Sequence, residues 1–187
     1  MGLIALAQGC PDLENLDVTL LDISNEAMEY VGTYLKNLRK FRVNLVNKSC
    51  ITDLPLDNGI RAMLIGCKKL ERLHVSLCHG GLTDVGLGYI GKYGHNLRYL
   101  SLEYTGESDA GLVELSKGCP KLRKLRIMEC PFSEQAVENF LFNIHTLRYI
   151  NFLFGDCGLA FTRPMVPADA EVLPELNPYV TLAKKLR

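Results

Sequence analysis

Leu97-Arg98-Tyr99-Leu100-Ser101-Leu102 and, 25 residues later, Leu122-Arg123-Lys124-Leu125-Arg126-Ile127 carry one apolar spacing. Large aliphatic side chains stand at the first, fourth and sixth places of each. Outward from this pair the spacing returns at Leu13, Leu16, Val18, at Leu38, Phe41, Val43, at Leu70, Leu73, Val75, and at Leu147, Ile150, Phe152. The opening leucines of the six copies are 25, 32, 27, 25 and 25 residues apart.

Inside each copy the apolar residues alternate with polar ones, the period of a short strand with one buried face. A turn follows, and then a stretch with three-and-four apolar spacing. Asn25 to Leu35 carries Ala27, Met28, Val31 and Leu35, and Glu134 to Asn143 carries Ala136, Val137, Phe140 and Leu141. Such a stretch is a helix that packs one face on its own strand. No single unit covers its apolar surface, so the units must stack. A strand–helix unit of about 25 residues defines an α/β leucine-rich repeat solenoid. Five to six units are expected over 1–154, with strands near 14–19, 39–44, 71–76, 98–103, 123–128 and 148–153. From Gly155 the pattern fades, and Pro164, Pro167, Pro174 and Pro178 interrupt it. Residues 155–187 are expected to be a C-terminal cap or a partly disordered tail. The 32-residue interval places an enlarged loop at Val46 to Gly59, where Pro55 and Asp57-Asn58-Gly59 are turn-forming.

Acidic and basic residues number 21 each, which argues against a broad phosphate-attracting field and a nucleic-acid partner. The seven cysteines lack metal-site spacing. Cys10, Cys67 and Cys119 stand three residues before an opening leucine, and Cys78 and Cys130 five residues after a second one. Both phases are expected to face inward, as reduced core thiols of a nuclear or cytoplasmic protein. No signal peptide, membrane span or lipidation motif is visible, so no membrane association is expected. Thr52-Asp53 and Thr83-Asp84 fall between strand and helix, where they suit cap chemistry.

Catalysis is not expected, because no nucleophile–base–acid order, P-loop or dinucleotide fingerprint is present. Binding is the default use of the concave sheet in such a solenoid. Strands in register stack equivalent outward residues into columns. One column is Asp17, Arg42, His74, Ser101, Arg126, Asn151. A second is Thr19, Asn44, Ser76, Glu103, Met128, Leu153. A third is Asn15, Lys40, Arg72, Tyr99, Lys124, Tyr149. A protein or peptide partner is expected on this face, with Asp17, Thr19, Arg42, His74, Ser76, Tyr99 and Met128 as candidate contacts.

Several stretches carry a more specific resemblance. They include Gly32-Thr33-Tyr34-Leu35-Lys36-Asn37-Leu38, Ile51-Thr52-Asp53-Leu54-Pro55-Leu56-Asp57-Asn58-Gly59, Leu64-Ile65-Gly66-Cys67-Lys68-Lys69-Leu70 and Gly80-Gly81-Leu82-Thr83-Asp84. From Gly2 to about Tyr149 the chain resembles the C-terminal repeats of the plant coronatine-insensitive family of F-box proteins, the jasmonate receptors. The resemblance implies the substrate receptor of a cullin-based (SCF) ubiquitin ligase, non-catalytic itself. It implies repeats that hold a jasmonate–isoleucine conjugate with a repressor degron, over an inositol-phosphate site. Arg42 matches a family arginine at the hormone and phosphate sites. The chain departs from the family at Asp17 (alanine there), Thr19 and Ser76 (tyrosines), Tyr99 (tryptophan) and Met128 (arginine). Receptor-like hormone affinity is therefore not expected. No F-box is found in these residues, so a truncated relative or a fragment is expected. Adaptor binding is then expected only of a longer form that carries one.

Overall fold

The computed structural model describes residues 2–46, 55–154 and 159–164. Its strands are β1 (Asn15–Leu20), β2 (Lys40–Leu45), β3 (Arg72–Ser76), β4 (Tyr99–Glu103), β5 (Lys124–Met128), β6 (Tyr149–Phe154) and β7 (Leu159–Pro164). They form one sheet in chain order, parallel from β1 to β6. The helices α1 (Gly2–Gly9), α2 (Asn25–Tyr34), α3 (Asp57–Gly66), α4 (Asp84–Tyr93), α5 (Asp109–Ser116) and α6 (Glu134–Asn143) alternate with the strands. Each packs beside the helix of the next unit. The chain is a leucine-rich repeat solenoid.

The anchors behave as the pattern requires. Leu16, Leu73, Leu100 and Leu125 are buried, and so are the opening leucines Leu38, Leu70, Leu97, Leu122 and Leu147. The strands begin one residue later than expected, and each opening leucine closes the turn that precedes its strand. Leu97 N and Leu122 N donate to the carbonyls of Gly94 and Cys119, 3.1 and 3.0 Å away.

Two devices set the unit-to-unit spacing. The first is backbone contact between helices. A Cβ built on Gly66 would run into the Gly32 carbonyl, and one on Gly118 into the Gly91 carbonyl. Glycine is required there because the helices touch main chain to main chain. The second is a capping ladder. Thr83, Ser108 and Ser133 are N-caps whose hydroxyls accept from Val85 N, Ala110 N and Ala136 N. Each hydroxyl also donates backward to the first residue of the preceding helix: Thr83 to Asp57 (2.5 Å), Ser108 to Asp84 (2.6 Å), Ser133 to Asp109 (2.6 Å). The other oxygen of each carboxylate accepts the cap's own amide, at 3.0, 3.2 and 2.7 Å. Asn25 plays a related part, accepting from Gly59 N at 2.6 Å. From α3 to α6, each helix thus grips the cap of the next.

Two expectations are corrected. Asp57-Asn58-Gly59 begins α3 and is not loop, because Asp57 is recruited into the ladder and is only 8% exposed. Cys10 is exposed, unlike buried Cys67, Cys78, Cys119 and Cys130. Two of the buried thiols approach backbone carbonyls: Cys67 Sγ lies 3.3 Å from the Leu35 carbonyl, and Cys119 Sγ lies 3.5 Å from the Ile90 carbonyl. Residues 159–164, within the stretch expected to be a cap or tail, form β7, which pairs antiparallel with β6. Most of the enlarged loop, with Thr52-Asp53, Cys50 and Cys157, lies outside the described residues, as does 165–187.

Candidate functional site

The register brings the outward columns together as expected. Asp17 pairs with Arg42, Arg42 with His74, His74 with Ser101, Ser101 with Arg126, and Arg126 with Asn151. The face they form is not uniform. Toward the N-terminal side, β1 to β4 frame a concavity of about 490 Å³. Its polar wall is Asn15, Asp17, Lys40, Arg42, Arg72, His74 and Tyr99, and Leu16, Phe41 and Leu73 border it. Four of the seven candidate residues therefore converge: Asp17, Arg42, His74 and Tyr99.

Thr19, Ser76 and Met128 do not line it. They belong to the column nearer the strand ends, on β1, β3 and β5. Ser76 is only 3% exposed, and Ser101 in the neighbouring column only 1%. A short side chain on this face is covered by its longer neighbours, so these two do not present the outward surface that the strand alternation implied.

The electrostatics of the concavity are local. Asp17 Oδ2 lies 3.4 Å from an Arg42 guanidinium nitrogen, with both side chains more than half exposed. Asp17 is thus compensated by Arg42 and is not an isolated repelling charge; screening at this exposure keeps the pair weak. His74 is half-buried, and its Nε2 lies 3.0 Å from Asn44 Oδ1. Burial pushes the His74 pKa below its ordinary value of 6.5, and the nearby Arg42 and Arg126 charges push the same way. Glu103 and Asp17 oppose them. His74 is therefore a neutral hydrogen-bonding group near pH 7. Lys40, Arg42 and Arg72 supply three cations against the single carboxylate of Asp17. That balance suits an anionic group on a ligand.

The wall residues Asn15, Lys40 and Arg72 were visible only as members of a column. Asn44, the partner of His74, belongs to the neighbouring column, and its role follows from the register alone. What sequence reading missed is the pairing of Asp17 with Arg42, because neighbours across a parallel ladder are 25 residues apart in the chain. The repeat alignment itself is the signal that could have found it.

Stacked units behind an open sheet with a mixed, partly cationic concavity define a leucine-rich repeat solenoid with an open face. No protein-family model matches the chain. Individual relatives do. The chain is 55% identical to coronatine-insensitive protein 1 of Arabidopsis thaliana over 147 residues, which are 78% of this chain and 25% of that protein. It is 48% identical to coronatine-insensitive protein homolog 2 of Oryza sativa, over 80% of this chain and 26% of that protein. It is 34% identical to F-box protein FBX14 of Arabidopsis thaliana, over 80% of this chain and 24% of that protein. Over the matched repeats, the chain is similar in sequence to the coronatine-insensitive proteins. It spans about a quarter of the length of the curated relatives it matches.

Proposed function

We propose that the open sheet face is the partner-recognition surface of a non-catalytic substrate receptor of an SCF ubiquitin ligase, in the jasmonate-signalling lineage. The observation that carries this is the concavity at β1–β4. It gathers Lys40, Arg42, Arg72, His74 and Tyr99 in a chain 55% identical to coronatine-insensitive protein 1. The ligand it suits is a protein or peptide segment that presents an anionic group. Lys40, Arg42 and Arg72 also have the charge to hold an inositol phosphate beneath such a segment. Work in the nucleus or cytoplasm accords with this role. Recruitment of the ligase adaptor is the task of an F-box and not of these repeats.

The jasmonate–isoleucine conjugate is a weaker fit. Asp17 already engages Arg42, Met128 carries no charge, and Ser76 is small and covered. Removing a cationic donor from a partly dry carboxylate site costs on the order of 1.5–3 kcal/mol. Several such differences together exceed what Arg42 alone offsets. The chain is therefore expected to hold a protein partner without receptor-like hormone affinity. Isothermal titration with the conjugate, with and without a degron peptide, tests this. Weak or absent hormone binding is the expected result. Micromolar or tighter binding that disappears in Arg42→Ala would refute it.

A further inference from the structure

The opening leucine of every unit is followed by a residue that stands immediately before its strand, and these residues form a column of their own. From β1 to β6 it reads Glu14, Arg39, Glu71, Arg98, Arg123, Arg148. Backbone hydrogen bonds stack them directly. Arg39 N donates to the Glu14 carbonyl, Glu71 N to Arg39, Arg98 N to Glu71, Arg123 N to Arg98 and Arg148 N to Arg123, all at 2.7–2.9 Å.

The two halves of this rim differ in charge compensation. In the first half the signs alternate, and Arg39 lies 3.7 Å from Glu14 and 3.0 Å from Glu71. In the second half three arginines follow one another. All three are exposed, and none has an acidic partner among the described residues. Parallel strands lie about 4.8 Å apart, so three guanidinium groups rise from a span of about 10 Å. Two exposed lysines flank them. Lys121 Nζ bonds Asn96 Oδ1 at 2.7 Å, and Lys124 Nζ lies 6.0 Å from the Tyr149 ring centre; neither meets a carboxylate. The formal net charge of zero conceals this rim because Asp84, Glu107, Asp109 and Glu134 gather where the helices begin.

We infer that the rim built by Arg98, Arg123 and Arg148 docks a short acidic segment of a partner polypeptide, on a surface separate from the β1–β4 concavity. Guanidinium forks match carboxylates in pairs. An extended segment advances about 3.3 Å per residue, so three or four residues cover the span. A longer polyphosphate fits less well. Continued past β4, it runs into the carboxylates of Glu71 and Glu14, which already occupy Arg39. A bilayer surface meets the same two acids.

The test uses the full 187-residue chain and fluorescein-labelled hexaglutamate, with binding read by anisotropy. Oligothymidylate and phosphatidylserine vesicles are run in parallel. Hexaglutamate should bind, and should weaken as added salt shortens the Debye length from about 30 to about 8 Å. Arg123→Glu should weaken it about tenfold or more, as expected when a charge-assisted contact is lost. Glu71→Arg extends the cationic run and should tighten it. That gain remains decisive if Arg123→Glu does not fold. The inference is overturned if hexaglutamate binding ignores both substitutions, or if it is lost in Arg42→Ala while surviving in Arg123→Glu. Stronger binding of oligothymidylate or of vesicles would equally overturn it.

Discussion

Replacing Asp57 with alanine removes one rung of the capping ladder at its most buried point. Asp57 accepts from the Thr83 amide at 3.0 Å and from the Thr83 hydroxyl at 2.5 Å, and is only 8% exposed. A hydrogen bond to a charged acceptor contributes about 1.5–3 kcal/mol, and a donor left dry adds a penalty. Two such bonds, less some relief where Thr83 regains water, give an expected loss of about 3 kcal/mol. Asp109 makes the same two bonds to Ser133, at 2.7 and 2.6 Å, but is exposed. Water replaces it more readily, so Asp109→Ala should cost about 1 kcal/mol. Asp57→Asn, which keeps the shape and one acceptor, should fall between. Urea unfolding of the purified chains, analysed by linear extrapolation, measures all three. Equal losses for Asp57→Ala and Asp109→Ala would refute the reasoning, because burial would then not set the strength of the rung.

Two further outcomes concern the site and the core. Because burial and the neighbouring arginines lower the His74 pKa below 6.5, the unfolded chain binds this proton more readily than the folded one. Stability should therefore fall as pH drops through 6.5 toward the folded value, and rise again on return. His74→Gln should lose less stability than the parent between pH 7 and 5 in parallel thermal melts; an equal loss would exclude His74 as the source. The thiols offer a second check. Burial pushes the Cys67 pKa up to about 11 and that of Cys119 to about 12, so thiolate is scarce at both. Iodoacetamide mapping of the native chain should find Cys10 alkylated and Cys67 and Cys119 protected until denaturant is added. Rapid native labelling of Cys119 would contradict the packed helix–turn geometry around it.

The sequence by itself determined the repeat. Leucine spacing fixes which side chains turn inward, and inward phase together with a 25-residue period leaves only stacked parallel strands as a way to cover them. That is why Asp17, Arg42, His74 and Arg126 fall in one column from the sequence alone. The stretches from Gly32 to Asp84 likewise carry the similarity to coronatine-insensitive protein 1. Tertiary structure decided what chain order does not encode. It paired Asp17 with Arg42, covered Ser76 with longer neighbours, drew Asp57 out of an apparent turn to grip Thr83, and folded 159–164 back along β6. It also divided one column into a neutralised half and a bare arginine half. The reason is common to all of these: they depend on contacts between units, where residues about 25 positions apart meet within one strand spacing. A local pattern states which way a side chain faces, but only the stacked neighbour states what it meets there.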